Sequence, residues 1–286
     1  NSSLYLRVSM SVMKILQDTA RKYNGKFEQA GIDEAYLDLS SNMPPRISAR
    51  KHTQIVSIAK HIRRTIFNEE KVTASIGIGP SMLVAKIASD FKKPDELTVI
   101  RSKNVQKFLD PLPIRKIPGV GPKTEVELKK IYMEHYKPPT IYTVNDLRKI
   151  PQSILYDSLG QHGISLYENL RGIDHRVVGN NPSIRKKSIS AEHTFEYDTG
   201  STVEILPVFF SLIKNVLHST EKDGLKNFKT ITLKIRYSDF RTHTKSLSSE
   251  YSAKNLDEIE KVALKLVWPF LDKKIRLIGF QVSGFN

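Results

Sequence analysis

The C-terminal segment, residues 186–286, alternates strand-like and helix-like hydrophobic patterns, and this order constrains the fold more than any other feature of the chain. The patterns predict strands near 188–195, 228–237, 242–251 and 276–282. Helical spacing predicts two intervening helices, the first with a buried face that begins at Val203. The order βαββαβ therefore predicts a compact four-stranded sheet with two helices on one face.

Apolar and polar side chains alternate along the predicted strand over 228–237. The apolar residues from Ile231 to Ile235 alternate with Thr232, Lys234 and Arg236. Because successive side chains of a strand point to opposite faces, the apolar set is expected to face the helices and the polar set to face outward. Lys234 and Arg236 would then be available to phosphates, although a solvated sheet face explains the same pattern equally well.

The N-terminal segment, residues 1–103, mixes helix and strand patterns. Apolar residues at helical spacing predict helices over 4–23, 55–66 and 83–91. Short strands are predicted in the remaining stretches, within 27–39, 72–78 and 98–100. Helices packed on a small sheet are the simplest architecture for this order.

The middle of the chain reads as a small all-helical region over 104–170, because its short apolar repeats are separated by prolines and glycines and show no strand pattern. Residues 171–185 are rich in turn-forming residues and are interpreted as a linker. A chain of 286 residues is long enough for two or three domains. The predicted fold class is therefore α+β and multidomain.

The chain is strongly basic, with a formal net charge of +15 and a pI near 9.7. A charge of this size favours polyanionic partners, nucleic acid first and an anionic membrane surface second. There are no cysteines, which excludes disulfides, cysteine zinc sites and thiol catalysis. No apolar run approaches the roughly 20 residues of a transmembrane helix, so no membrane span is expected.

Two adjacent carboxylates, Asp33 and Glu34, stand between two extended runs. Neighbours in a regular strand point to opposite faces, but at a turn both side chains can approach one point. Hard cations such as Mg²⁺ take oxygen ligands, and one or two carboxylates with substrate phosphates are a usual set. The pair is thus a candidate metal site, with a solvated surface pair as the alternative.

A glycine-rich stretch, Ser-Ile-Gly-Ile-Gly-Pro at 75–80, precedes Lys86 and Lys93. It is not a P-loop, because no Gly-Lys-Ser/Thr follows at the required spacing. The glycines are interpreted as permitting a tight turn from strand to helix. The two lysines, seven residues apart, would lie near the same helix face, either directed at a triphosphate or solvated.

The stretch Ile-Pro-Gly-Val-Gly-Pro at 117–122 is typical of the hairpin in a helix-hairpin-helix motif. Its glycines would let the backbone approach a phosphate, and the following helix N-terminus would offer free N–H groups. An ordinary turn between helices remains the alternative. Other candidate DNA contacts are scattered basic residues of the linker and last segment, namely Arg185, Lys186, Lys187 and Arg276.

Taken together, these motifs resemble the Y-family DNA polymerases, and most closely their DinB or DNA polymerase IV branch. The stretch Gly-Ile-Asp-Glu-Ala-Tyr-Leu-Asp-Leu at 31–39 is similar to the family's S-I-D-E-A-Y-L-D motif. The blocks at 75–94 and 117–122 and the stretch Lys-Ser-Ile-Ser-Ala-Glu-His-Thr-Phe at 187–195 follow in the family's order. The ordered set covers nearly the whole chain and is far more specific than any one motif.

The resemblance implies a domain plan. Residues 1–103 would be an incomplete palm, an α/β sandwich, and 104–170 a small all-helical thumb with the helix-hairpin-helix. Residues 171–185 would be the linker to a βαββαβ little-finger domain at 186–286. The family's first palm strand, with another metal-binding Asp and the steric-gate aromatic, and its fingers have no counterpart here. We therefore expect the chain as printed to bind DNA weakly and not to polymerise, and the parent protein to be active.

The resemblance also implies residue roles. Asp33 would be shared between two Mg²⁺ ions, and Glu34 would be the catalytic carboxylate that binds the metal on the primer 3′-OH side. Lys93 would contact the triphosphate of the incoming nucleotide. The thumb hairpin would hold the DNA backbone, and its expected contacts are Ile117, Gly119, Val120, Gly121 and Lys123.

The function implied is low-fidelity translesion synthesis by a DNA-directed DNA polymerase, in which the primer 3′-OH attacks the α-phosphate of a dNTP. Primer-template DNA and dNTPs are the expected partners, with a sliding clamp as a further one, and a monomer in the cytoplasm or at the nucleoid is expected. The main alternative is a non-catalytic DNA-binding module that uses the hairpin and the basic sheet. A nuclease that uses the same metal chemistry gains no support from the motif order.

Overall fold

The structure is a computed structural model that describes residues 2–40, 49–136, 143–179 and 186–285. The chain divides into two compact units, Asn1–Pro182 and Ser183–Asn286, and each has its own hydrophobic core. This mixed, multidomain α/β architecture confirms the predicted fold class. Within the described ranges, no helix is both long and apolar enough to cross a membrane. Arg185, one of the predicted DNA contacts, lies outside the described residues.

The first part of the N-terminal unit follows the predicted order of helices and strands. Strands β1 and β2 form an antiparallel pair, whereas β3 and β4 form a separate parallel pair, so the described strands make two small sheets. The elements are α1 (Ser2–Lys22), β1 (Lys26–Gln29), β2 (Ala35–Asp38), α2 (Ala49–Glu70), β3 (Ile76–Ile78), α3 (Met82–Ser89) and β4 (Leu97–Val99).

Two of these elements are shorter than the sequence predicted. Strand β3 begins at Ile76 rather than near Val72, because its only described partner, β4, offers three residues for pairing. Helix α3 ends at Ser89, before the predicted limit at Phe91. Asp90 closes it as the C-terminal cap, with its N–H bonded back to Lys86. Lys93 therefore lies beyond the helix that carries Lys86.

The glycines of β3 and the following loop serve close packing rather than a left-handed turn. Neither Gly77 nor Gly79 has a positive φ. A Cβ on Gly77 would lie 2.0 Å from the carbonyl oxygen of Ala85 and 2.3 Å from the amide nitrogen of Ser89. The glycines thus permit the short turn from β3 to α3 by letting the helix lie directly against the strand, without a positive φ.

The described residues between β4 and residue 170 are mainly helical, as predicted from their pattern. A fully buried cluster of leucines, with Leu109, Leu128 and Leu155 among them, joins these helices into one core with the apolar face of α3. The helices are α4 (Val105–Leu109), α5 (Pro122–His135), α6 (Val144–Leu147), α7 (Gln152–Leu159) and α8 (Gln161–Asn169).

The second unit confirms the predicted βαββαβ order. Its four strands form one antiparallel sheet in the order β5-β8-β6-β7, and both helices contribute side chains to the core that covers one face of it. The elements are β5 (Ser188–Thr199), α9 (Thr202–Lys222), β6 (Asn227–Tyr237), β7 (Thr242–Ser252), α10 (Leu256–Val267) and β8 (Ile275–Phe285).

The core of this unit confirms the predicted inner face of β6 but corrects the buried face of α9. Ile231, Leu233 and Ile235 are all buried, as their alternation predicted. Val203 is 82% exposed, and the buried face of α9 begins instead at Ile205. Helix α9 carries apolar residues on more than one side. The spacing of these residues therefore allows either of two faces to be the buried one, and packing against the sheet decides which face is buried.

Candidate active site and nucleic-acid interface

The two candidate carboxylates lie at the tip of the hairpin formed by β1 and β2. Residues 26–29 pair with residues 35–38 in reverse order, which leaves residues 30–34 as the connecting turn. The turn is closed by the amides of Ala30 and Gly31, which donate to the carbonyl oxygen of Glu34 at 2.9 and 3.1 Å. Asp33 is exposed and Glu34 is half-buried. The two residues are thus presented by a turn and not by the opposite faces of a strand.

A chain of alternating charges links this turn to the end of α3. The ammonium of Lys86 pairs with the carboxylate of Glu34 and lies 3.3 Å from Asp90. Lys93 binds the other oxygen of Asp90 at 2.5 Å. The structure therefore brings Glu34 and Lys93 into one network, although they lie far apart in sequence.

The ionisation of this network is set by its internal pairing. Partial burial opposes the charged form of Lys86, but hydrogen bonds to Glu34 and Asp90 outweigh it and raise the pKa of Lys86 above its usual range. Partial burial likewise opposes the charged form of Asp90, but bonds from Lys93 and Lys86 outweigh it and lower the pKa of Asp90. Both groups therefore stay charged at neutral pH.

Glu34, Lys86 and Lys93 of this network lie on the wall of a large, mainly apolar cleft of about 1700 Å³. Asp33, Glu34, Lys86 and Lys93 line the cleft together with apolar side chains from the first two helices, such as Ile58. Mainly apolar pockets with a few convergent polar groups are the usual form of ligand sites. The structure thus places both predicted carboxylates and the predicted triphosphate contact around one cavity.

The donor set of the turn suits a hard divalent cation held jointly with substrate. No cluster of three or more His, Cys, Asp or Glu side chains suited to a metal occurs in the described part of the chain. A magnesium ion, however, is commonly bound by one or two carboxylates together with substrate phosphates and water. Asp33 and Glu34 supply that number of carboxylates at one tip, so the residues present fit such an ion.

The predicted hairpin over 117–123 leads directly into α5. Ile117 and Val120 are 1% and 6% exposed, so their side chains belong to the core and only their backbone can meet a ligand. Gly119 has φ +92°, and Gly121 is the N-cap of α5. Lys123 is exposed in the first turn of the helix. A helix N-terminus with an adjacent cation is a suitable environment for a phosphate.

The basic residues of β6 lie on the sheet face opposite the helices, as predicted. Lys234 binds Glu192 of β5 at 2.7 Å, and Arg236 donates to the hydroxyl of Thr242 at 2.9 Å. Their β6 neighbour Thr232 bonds to Ser246 across the strands at 2.8 Å. This outer face, formed by Glu192, Thr230, Thr232, Lys234, Arg236, Thr242, Ser246 and Ser248, is therefore polar and carries two cations against one carboxylate.

The other predicted cations of this unit lie near its strand ends. Arg276 stands at the β-bulge of β8, 3.5 Å from Asp198 and stacked over the ring of Phe240 at 4.7 Å. Lys186 pairs with Asp223 at 2.5 Å, and Lys187 is exposed. Arg276 and Lys234 both pair with carboxylates of β5, whereas Lys186 pairs with Asp223 at the end of α9.

Sequence reasoning missed three residues next to the predicted ones. His162 of α8 lies so close to the hairpin that a Cβ on Gly119 would meet its ring carbon at 3.0 Å. Asp174 binds the N-terminus of α3, which carries Lys86, and Arg176 binds Asp174. No local pattern identifies His162 or Asp174, since each contacts a segment that is distant in sequence.

Sequence profiles of known families match most of the chain. The impB/mucB/samB family matches residues 1–90, and the C-terminal domain of the same family matches residues 186–286. Between them, the IMS family HHH motif matches residues 102–131, which include the hairpin described above.

Curated relatives and solved structures agree with these profiles. The chain is 37% identical over 284 residues to DNA polymerase IV 2 of Methanosarcina mazei, covering 99% of this chain and 71% of the relative. It is 35% identical over 292 residues to DNA polymerase IV of Streptococcus gordonii, covering 100% and 75%. Its fold is similar to that of the Y-family DNA polymerase chimera Dbh-Dpo4(243-245)-Dbh, with a TM-score of 0.76, 24% identity and coverage of 100% and 77%.

The fold, the carboxylate turn and these relatives define one class of protein. The chain belongs to the Y-family DNA polymerases, in their DinB or DNA polymerase IV branch. Enzymes of this family are DNA-directed DNA polymerases of translesion synthesis, a class of nucleotidyltransferase that generally uses divalent metal ions.

Proposed function

We propose that this protein extends a primer 3′-OH by template-directed nucleotidyl transfer with low fidelity, and that Asp33 and Glu34 supply carboxylates of its active site. The observation that carries the proposal is the position of both carboxylates at one hairpin tip, on the wall of the cleft that also includes Lys86 and Lys93. Primer-template DNA and a dNTP are the proposed partners, and copying of damaged DNA is the proposed role.

Asp33 and Glu34 would hold two Mg²⁺ ions, with Asp33 shared between them and Glu34 on the side of the primer 3′-OH. Bound there, the ions would stabilise negative charge on the attacking and leaving oxygens of the phosphoryl transfer. Lys86 pairs with Glu34 and so orients this carboxylate. The contribution of the protein is then mainly to position reactants and to stabilise charge.

Lys93 is the proposed contact for the triphosphate of the incoming nucleotide. Its ammonium is bound by Asp90 at 2.5 Å and is about half-exposed, so it can reach a phosphate without leaving a buried site. The approaching phosphate would compete with Asp90 for the same cation. Because Asp90 also pairs with Lys86, it keeps a partner when Lys93 turns to the substrate.

Two surfaces are proposed to hold the DNA backbone. The hairpin offers Gly119, Gly121 and Lys123 at the N-terminus of α5, and this arrangement suits a phosphate. The outer sheet face of the second unit offers Lys234 and Arg236. Lys186, Lys187 and Arg276 are proposed as further phosphate contacts, because backbone binding by cations is the general source of affinity for DNA.

Primer extension by the protein with its natural termini tests this proposal. We expect Mg²⁺- and template-dependent extension that the double variant Asp33→Ala/Glu34→Ala lowers by about a thousandfold or more, since charge stabilisation by the metals is lost. Binding of primer-template DNA, measured by fluorescence anisotropy without metal, should persist. Glu69→Ala removes an exposed carboxylate of α2 and serves as the matched control.

The outcomes separate the proposal from its alternatives. Equal extension by the double variant would remove both carboxylates from the chemistry. DNA binding without extension in the unaltered protein would favour a non-catalytic binding module, which the hairpin and the outer sheet face could serve without the carboxylates. Shortened primers instead of extended ones would indicate a nuclease.

The finer organisation stays a proposal as well. We propose a palm over 1–103, a thumb over 104–170, a linker over 171–185 and a little finger over 186–286. The profile matches to 1–90, 102–131 and 186–286 support these boundaries. The monomeric state, the cytoplasmic or nucleoid location and the sliding-clamp partner remain predictions from the family resemblance.

A further inference from the structure

The segment that follows α8 turns back to the N-terminus of α3, and residues 172–179 are called the return segment here. The carbonyl oxygen of Gly172 accepts from the hydroxyl of Ser81, the N-cap of α3, at 3.4 Å. The carboxylate of Asp174 accepts from the backbone N–H of Leu83, in the first turn of α3, at 2.8 Å. The start of α3 is therefore bound by residues 91 positions away in the chain.

Asp174 is a buried carboxylate with a full set of donors. Its side chain is only 5% exposed. Besides Leu83, it accepts the backbone N–H of Arg176 at 3.1 Å and two guanidinium N–H groups of Arg176 at 2.9 Å each. Burial would raise the pKa of Asp174, but these bonds from Arg176 and Leu83 outweigh it and lower the pKa. The buried negative charge of Asp174 is therefore compensated by hydrogen bonds and by its ion pair with Arg176.

The same segment also reaches the hairpin that presents Asp33 and Glu34. The amide of Gly179 donates to the carboxylate of Glu28 in β1 at 3.1 Å. Burial raises the pKa of Tyr36 in β2, and the positive charges of Arg176 and Lys86 oppose that rise. Glu28 and Tyr36 are direct partners across β1 and β2. The return segment therefore contacts β1 of the hairpin, at the residue that pairs with Tyr36 of β2.

Lys86 is the link between these two contacts. It lies one turn after Leu83 in α3, and its ammonium pairs with Glu34. A shift of the start of α3 would move Lys86 relative to the turn that holds Glu34. The return segment contacts α3 on one side and the hairpin on the other, so it spans the junction across which this pair forms.

We propose that Asp174 and Arg176 are positioning residues, which hold α3 against the β1–β2 hairpin and so keep Lys86 in place beside Glu34. The inference rests on the proposed function, because it takes Glu34 as a metal-binding carboxylate. Neither Asp174 nor Arg176 lines the cleft, so both act through α3 and the hairpin rather than by contact with substrate.

The first test measures anchoring without any activity, by amide hydrogen exchange of residues 82–86 in the protein with its natural termini. Asp174→Ala should accelerate exchange by about tenfold, since the loss of one charge-assisted bond to Leu83 is worth roughly that factor. Asp174→Asn keeps an acceptor for Leu83 and covers the case in which the alanine variant does not fold. Asp110→Asn, which likewise removes the negative charge from a partly buried ion pair, here with Arg148, is the matched control.

The second test asks whether the anchoring matters at the carboxylates. Asp174→Asn and Arg176→Gln should raise the Mg²⁺ concentration that half-saturates primer extension by about tenfold, as is typical when a partner behind a metal ligand is lost. The Kd for primer-template DNA should change by less than about twofold, because the DNA surfaces are untouched. Arg176→Lys keeps the positive charge but not the bidentate hydrogen bonding to Asp174. It should therefore raise the half-saturating Mg²⁺ concentration less than Arg176→Gln does.

Three results would overturn the proposal. The first is unchanged hydrogen exchange of residues 82–86 in the Asp174 variants, and the second is an unchanged Mg²⁺ dependence in the Asp174 and Arg176 variants. The third is a change in both measurements for Asp110→Asn that equals the change in the Asp174 variants. A failure of the unaltered protein to extend primers would instead overturn the proposed function and, with it, the catalytic part of this inference. Hydrogen exchange would still decide whether the return segment anchors α3.

Discussion

The ammonium of Lys86 pairs with Glu34 and lies 3.3 Å from the carboxylate of Asp90, so a single lysine connects the β1–β2 turn to the end of α3. Asp90 in turn binds Lys93 at 2.5 Å. A carboxylate proposed to bind metal and a cation proposed to bind phosphate therefore share a network of ion pairs. Disturbance at any member should reach the others.

The stability that Asp90 contributes should depend on pH. Its pKa is lowered in the folded state by bonds from Lys93 and Lys86, against the opposing effect of burial. Such a group stabilises the protein above its unfolded pKa and loses that contribution as the pH falls through its folded pKa. We expect Asp90→Asn to lower the free energy of unfolding by about 1 kcal/mol at pH 7, because the pairs are partly exposed.

Urea unfolding followed by circular dichroism measures this difference. It should be the same at pH 7 and pH 5 and should shrink below about pH 4, where the unaltered carboxylate begins to take up its proton in the unfolded state. A difference that grows as the pH falls would contradict the assignment of these ion pairs.

Gly77→Ala should disturb the site through packing alone. The added Cβ would lie 2.0 Å from the carbonyl oxygen of Ala85, a backbone atom that cannot rotate away, so α3 must move. We expect a loss of about 3 kcal/mol in the free energy of unfolding, the upper range for overpacked sites, together with reduced primer extension. Normal stability with normal extension would show that α3 can shift without cost.

The two glycines of the hairpin should respond differently to alanine. Gly119 has φ +92°, and its added Cβ would meet the ring of His162 at 3.0 Å, so Gly119→Ala should cost about 2 kcal/mol of unfolding free energy. Gly121 has φ −88° and nothing within 4 Å of the added Cβ, so Gly121→Ala should cost at most about 1 kcal/mol.

Gly121→Ala should nevertheless weaken DNA binding by about fivefold, because its methyl group would stand between the start of α5 and a phosphate. Anisotropy titrations with primer-template DNA measure this change, and thermal unfolding checks the fold. An unchanged Kd for Gly121→Ala would show that the hairpin does not hold the DNA backbone.

The outer sheet face makes a prediction about salt. If Lys234 contacts a phosphate, Lys234→Ala should reduce the slope of log K against log salt by about 1. Glu192→Gln should strengthen DNA binding at low salt, because it releases Lys234 from its 2.7 Å ion pair. Lys261→Ala, on the exposed side of α10, is the matched control and should leave the slope unchanged. Equal slopes for Lys234→Ala and the unaltered protein would favour a merely solvated face.

Local patterns predicted the second unit well, because its strands are long and because apolar and polar side chains alternate between the two faces of the sheet, most clearly in β6. Ile231 and Ile235 are buried and Lys234 lies on the opposite face, as alternation requires. The prediction failed at Val203, which is exposed, because an apolar helix offers more than one face and the sheet selects among them. Short strands were less predictable, as β3 shows, since their length depends on the partner strand.

The sequence by itself determined the order of elements, the family and the candidate carboxylates, because each depends on residues that are close together in the chain. Only the tertiary structure decided that Lys86 pairs with Glu34, 52 positions away, and that Asp174 binds the start of α3, 91 positions away. It also decided why Gly77 must lack a side chain. These features depend on which surfaces pack together. Packing between distant segments produces no periodic pattern in the sequence of either segment, so it cannot be predicted from local patterns.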